Sequence, residues 1–239
     1  MALGPDRNTM AQTSAQQAAQ IDEGLRSYML GVYNYMAVAM GITGVVAYLT
    51  STSPALLNVI YGSPLQWVVM LAPLGFVFFL SARIHKMAAA TAQITFWVFA
   101  AVMGLSLSYI FLAYTGESVV KVFFITAGAF AGLSLLGYTT KKNLSGMGTF
   151  LFMGLIGLII AMVVNIFLQS PAMQFVISAA GVLIFAGLTA YDTQQIKNMY
   201  DEADGGDVVT KKSIMGALRL YLDFLNMFLF LLQLFGNRN

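Results

Sequence analysis

Cysteine is absent from all 239 residues, which excludes disulfides, thiolate zinc sites, iron–sulfur clusters and a cysteine nucleophile. A single histidine, His85, leaves little for imidazole-based metal or acid–base chemistry. Charge is scarce as well: 9% of the residues are Asp, Glu, Lys or Arg, where soluble domains carry about 25%, while 59% are hydrophobic. A chain of this composition cannot cover itself with polar surface in water. Its basic residues are scattered and form no stripe of the kind that follows a phosphate backbone, so no nucleic-acid partner is expected. No early apolar core precedes the first hydrophobic run, so residues 1–27, rich in Ala, Gln and Ser, read as a polar cytoplasmic tail and not as a cleavable signal peptide.

What the sequence does have is one long apolar run after another. A helix needs about 20 apolar residues to cross roughly 30 Å of hydrocarbon, and such runs occupy 28–50, 65–82, 92–114, 118–138, 148–168, 173–191 and 214–235. Backbone groups in lipid must be satisfied within the segment, so these are helices. The expected fold is an all-α integral membrane protein, with a seven-helix transmembrane domain over 28–239 and the lipid bilayer as its first partner. The connections are short except after the sixth run, where Asp201, Glu202, Asp204, Gly205, Gly206 and Asp207 mark a solvated loop. It is no EF-hand, because Ala203 and Gly205 stand where oxygen ligands are required. Arg7, Arg26, Arg83, Lys86, Lys141, Lys142, Lys197, Lys211 and Lys212 fall on one side of this arrangement, and Lys121 and Arg238 on the other. The positive-inside rule then predicts a cytoplasmic N-terminus and an outside C-terminus. Gly128 and Gly132 form a small-xxx-small pair that predicts close helix packing on the fourth span.

Polar residues within the spans carry the functional signal, because each ionisable one costs about 2.5–3.5 kcal/mol on insertion scales. On the seventh helix Arg219, Asp223, Asn226 and Gln233 follow steps that keep them on one face. That face cannot meet lipid, so the seventh helix is expected inside the bundle with the other six around it. If the sixth helix runs to about Ala203 and the seventh starts near Lys212, Asp192 and Asp223 each lie about 16 Å in from those ends, at one level. They form a candidate dyad. Arg83, near the cytoplasmic end of the second helix, reads equally as its counter-ion and as an ordinary interface arginine. Pro73 and Gly75 in the same helix permit a kink that could move it.

The chemistry of such a pair follows from elementary electrostatics. Two buried carboxylates in contact cannot both ionise cheaply, so they share a proton. The shared proton ties the sixth and seventh helices together. The fully ionised pair must separate, recruit Arg83 or admit a cation. Calcium suits carboxylate oxygens, yet two carboxylates fall well short of its usual six to eight oxygen ligands. Asp192 and Asp223 therefore read as a weak, transient calcium site on a permeation path, with Asn226 and water supplying further ligands. No resident cofactor is expected; calcium enters as the permeant ion.

At these residues the sequence resembles a known family. Tyr191-Asp192-Thr193-Gln194, Leu220-Tyr221-Leu222-Asp223-Phe224, Gly104-Leu105-Ser106-Leu107-Ser108 and the stretch from Thr139 through Lys141 and Lys142 to Gly148 look like segments of the transmembrane Bax inhibitor motif (Bax inhibitor-1) family. The short ending Gly236-Asn237-Arg238-Asn239 is similar to its bacterial branch. The resemblance implies two three-helix layers around a central C-terminal helix, in a bacterial inner (cytoplasmic) membrane. It also implies a pH-sensitive calcium leak governed by a hydrogen-bonded aspartate pair, which Asp192 and Asp223 match. The family's latch arginine on the second helix matches Arg83 by position, and Arg219, one turn before Asp223, is an additional cation. An aspartyl intramembrane protease would need a Gly-x-Gly motif where Leu220-Tyr221-Leu222 stands, and a serine protease built on Ser106 would lack a histidine at its depth. The chain is thus expected to be no enzyme. The rival reading, also non-enzymatic, is a regulator that binds a membrane protease or quality-control complex.

Overall fold

Lipid on the outside and no water within dictate long helices, and the computed structural model, which describes the backbone from Pro5 and the side chains from Glu23, contains seven that are long and apolar enough to span a membrane. They are, in chain order, Glu23–Ser51 at the end of a helix starting at Pro5, Leu65–Lys86, Ala89–Ala113, Gly116–Thr139, Ser145–Leu168, Pro171–Asn198 and Gly206–Phe235. A short helix, Pro54–Tyr61, joins the first two. Their ends are set by local chemistry. Thr115 accepts from the Ser118 amide and Ser170 from the Met173 amide, capping the fourth and sixth helices, and Pro171 follows its cap at the position where a missing N–H costs nothing. Gln169 closes the fifth helix in the left-handed region at φ 49°.

The first, second and third spans form one layer and the fourth, fifth and sixth the other, with the seventh between them. The seventh is 72% buried over its apolar window, whereas no other span exceeds 50%. It grips both layers with aromatics about one turn apart. Tyr221 packs edge-on against Phe99, with ring centroids 5.3 Å apart, and donates or accepts a 2.8 Å hydrogen bond with Thr43 of the first span. Phe224 lies edge-on to Phe123 and Phe130 of the fourth. The seven-span, two-layer architecture agrees with the expectation from sequence.

Three details differ from it. Among the described residues nothing lies within 4 Å of a Cβ placed at Gly128 or Gly132, so the small-xxx-small pair makes no close helix contact there. The close approaches occur instead at Gly137, where a Cβ would lie 2.2 Å from the Ala190 carbonyl oxygen, and at Gly104, where it would lie 2.7 Å from that of Thr43. The sixth helix ends at Asn198 and the seventh begins at Gly206, both earlier in the sequence than expected. The second helix continues through the buried Pro73 up to Arg83.

Alternation of the helices gathers Arg26, Arg83, Lys86, Lys141, Lys142, Lys197, Lys211 and Lys212 at one end of the bundle, hereafter the basic end, and leaves Lys121 and Arg238 at the other. The Arg7 side chain and most of the 1–27 tail lie outside the described side chains. At the far end Gly236–Asn239 folds back onto the connection between the third and fourth spans. Thr115 N–H donates to the Asn237 carbonyl (3.0 Å), Asn239 N–H to that of Ala113 (3.1 Å), and Asn237 N–H to Ser118 Oγ (2.9 Å).

Candidate functional site

The four consecutive residues Tyr191 to Gln194 each reach a different neighbour, which is what so compact a motif accomplishes. The Tyr191 ring fills the space above Gly148 of the fifth span, where a Cβ would come within 2.4 Å of it. Thr193 Oγ1 shares a 3.0 Å hydrogen bond with Ser134 of the fourth, and Ser134 a 2.6 Å one with Tyr33 of the first. Gln194 accepts from the Leu144 amide (2.9 Å) and donates to the Lys142 carbonyl (2.8 Å), pinning the connection between the fourth and fifth spans. Asp192 alone turns toward the seventh helix.

Antiparallel register decides what it meets there. Gly216 faces Ile196 and Gly181 faces Phe230. That register sets Asp192 level with Arg219 and Asp223 about one helical turn deeper, so the two aspartates do not share a level as the sequence suggested. Their side chains bridge the offset. The two carboxyls stand within hydrogen-bonding reach of each other. Ionised carboxylates only accept, so a hydrogen bond between them requires a proton on one. Asp223 is 4% exposed, and its buried Oδ2 has no hydrogen-bond partner among the described residues. Arg219 Nη1 lies 4.0 Å from Asp192 Oδ1, an ion pair too long for a direct hydrogen bond.

Arg219 is therefore the cation at the pair. Arg83 closes the second helix at the basic end, exposed, and among the described residues it forms no ion pair. Arg83, read from the sequence as the counter-ion, does not line the cleft that holds the pair.

The pair opens into a cleft of about 820 Å³ that runs along the polar face of the seventh helix. Arg219, Asp223, Asn226 and Gln233 all line it, together with Asp192 and Tyr191. Its remaining walls are mostly apolar, with side chains such as Val77, Phe152 and Leu188 of the second, fifth and sixth spans, and include Thr149. Asn226 donates to its own helix at the Leu222 carbonyl (2.8 Å), which leaves its amide oxygen available. Among the described residues no group of three or more His, Asp or Glu side chains could hold a metal ion. At the far end Gln233 joins Gln174 and Ser178 of the sixth span. The sequence reading missed those two, although their four-residue spacing is the same helical signal that exposed the stripe on the seventh helix.

The chain as a whole is similar to known proteins. Residues 25–239 match the family described as "Inhibitor of apoptosis-promoting Bax1". The chain is 44% identical over 218 residues to "Inner membrane protein YbhL" of Escherichia coli K12, covering 90% of this chain and 93% of that one. It is 46% identical over 230 residues to the protein RP147 of Rickettsia prowazekii, at 96% and 98% coverage. A Caulobacter vibrioides protein is 48% identical over 227 residues, at 90% coverage of both. A family match over residues 25–239, on a seven-helix bundle, means that this chain belongs to the Bax inhibitor-1-like family of membrane proteins.

Proposed function

We propose that the protein is a pH-sensitive, calcium-permeable leak pathway governed by Asp192 and Asp223, acting without catalysis and without a resident cofactor. The observation that carries this reading is Asp223 Oδ2, buried and without a hydrogen-bond partner among the described residues, in a long cleft lined by the polar face of the seventh helix and by Asp192. A carboxylate oxygen left bare in that setting is expensive unless a proton or a cation visits it. The titratable groups lining the cleft are Tyr191, Asp192, Arg219 and Asp223, so the protonation of the pair is read against one guanidinium. With a shared proton, the pair draws the sixth and seventh helices together. When both carboxyls ionise, their repulsion is relieved by Arg219 or by an incoming cation. Two carboxylates and the Asn226 oxygen provide fewer ligands than calcium prefers, which favours passage over storage. The same reading locates the chain in a bacterial inner membrane with its basic end toward the cytoplasm, in keeping with the distribution of Lys and Arg.

The test is calcium leak from proteoliposomes holding only the purified protein, across roughly pH 5.5 to 8.5, for wild type, Asp192→Asn, Asp223→Asn and the double variant. Each single change removes one titrating group, so the pH response flattens. Because both changes destroy one shared switch, the double variant alters the pH dependence little more than either single one. Single variants that kept the wild-type midpoint and amplitude would remove the pair as the sensor, and wild-type vesicles tight to calcium at every pH would remove the leak.

A further inference from the structure

Gln233 lies at the far end of the aspartate cleft, two residues before the seventh helix ends. A second cavity of about 400 Å³ lies beyond it, lined by Tyr109, Tyr114 and Arg238 among others, and Gln233 lines both cavities. Gln233 is held firmly at this junction. Its Oε1 accepts from Gln174 Nε2 at 2.7 Å and shares the single hydroxyl proton of Ser178, whose Oγ is 2.9 Å away, with the Gln174 carbonyl, which stands 2.8 Å from that Oγ. Gln174 is fixed in turn, since its Oε1 accepts from Asn165 Nδ2 at 3.2 Å, and Asn165 Oδ1 accepts from the Ser170 amide at 3.1 Å. Ser178 is 1% exposed and Asn165 8%, Gln174 is half-buried, and Gln233 is exposed to the openings.

The direction of these hydrogen bonds matters. A cation passing from one cavity to the other needs oxygen lone pairs to replace its water. Each amide oxygen of this chain of three already accepts from a protein donor. What Gln233 has left to offer the cavities is its amide nitrogen, a donor, and the guanidinium of Arg238 adds positive charge on the far side. We propose that Gln233, anchored by Gln174 and Ser178, is the outer barrier of the cleft, separating the aspartate pair from an outer vestibule. To pass a cation, Gln233 must release its two hydrogen bonds and turn its oxygen outward. The inference rests on the leak reading for its purpose, but the barrier itself can be tested without ion flux.

Because the chain has no cysteine, single thiols report cleanly. Asn226→Cys places a thiol within the cleft and Arg238→Cys one in the vestibule. Membrane vesicles are prepared in whichever orientation allows a charged, impermeant methanethiosulfonate to label Arg238→Cys. In those vesicles Asn226→Cys is protected, and adding Gln233→Ala accelerates its labelling roughly ten-fold or more, as expected when two hydrogen bonds that hold the barrier shut are lost. Equal labelling with and without Gln233 overturns the barrier. Should Gln233→Ala fail to fold, Gln174→Met removes one of the two donors and carries the same pair of outcomes. Calcium flux distinguishes the two ideas: accelerated labelling in vesicles that never pass calcium leaves the barrier standing and the leak reading refuted, whereas a wild-type leak with unchanged labelling does the reverse.

Discussion

Gly128 and Gly137 sit on the same helix, and only one of them touches a neighbour. A methyl group at Gly137 would press into the Ala190 carbonyl oxygen at 2.2 Å, and backbone on the sixth helix has little freedom to retreat. Gly137→Ala is therefore expected to cost about 1–3 kcal/mol, seen as a clear drop in the thermal midpoint of the purified protein in detergent. Gly128→Ala, with nothing within 4 Å of the new atom, should leave that midpoint nearly unchanged. Matching midpoints for the two would mean that the fourth and sixth helices do not meet at Gly137. The contrast shows what spacing can and cannot reveal. Steps of three and four placed Arg219, Asp223, Asn226 and Gln233 on one face, and all four line the cleft. Which of two glycines or two arginines faces a partner depends on the rotation of whole helices, and nothing local to Gly128 or Arg83 encodes that.

Elements end where caps and packing allow, and the ends were the least legible part of the chain. The seventh helix starts at Gly206, and Lys212 lies within it, donating to the Met199 carbonyl at 2.8 Å and pairing with Asp204. Such a fastening involves groups whose proximity arises only after the two helices are laid side by side. The fold-back of Gly236–Asn239 is of the same kind. Its hydrogen bonds to Ala113, Thr115 and Ser118 tie the end of the central helix to the connection between the two layers. Removing residues 237–239 is expected to speed amide exchange at Thr115, whose N–H loses its acceptor, and to leave exchange at the basic end as it was. Unaltered protection at Thr115 would show that the fold-back contributes no order there.

At the scale of the molecule, membrane thickness fixes the length of every span, which is why all seven were readable from hydropathy alone. Their division into two layers was not; it came from the resemblance, since six apolar helices of similar length carry no marks of who neighbours whom. Orientation is a separate question, and the unequal ends answer it by expectation. A reporter fused after Asn239 should lie outside and one fused before Met1 in the cytoplasm, measured with a periplasm-active and a cytoplasm-active enzyme. Both reporters on one side of the membrane would remove the seven-span reading.

The burial of the central helix also bears on how the protein is made. Five of the spans can rest in lipid as they emerge, because each has an apolar flank, and the sixth brings a single aspartate, Asp192. The seventh carries Arg219 and Asp223 and is the last span in chain order. Each such residue penalises insertion by about 2.5–3.5 kcal/mol when lipid is the only surrounding. Its stable place becomes available once the two layers exist to receive it, so biogenesis of this protein is ordered, with the helix that bears the chemistry assembling last onto a shell completed by its predecessors.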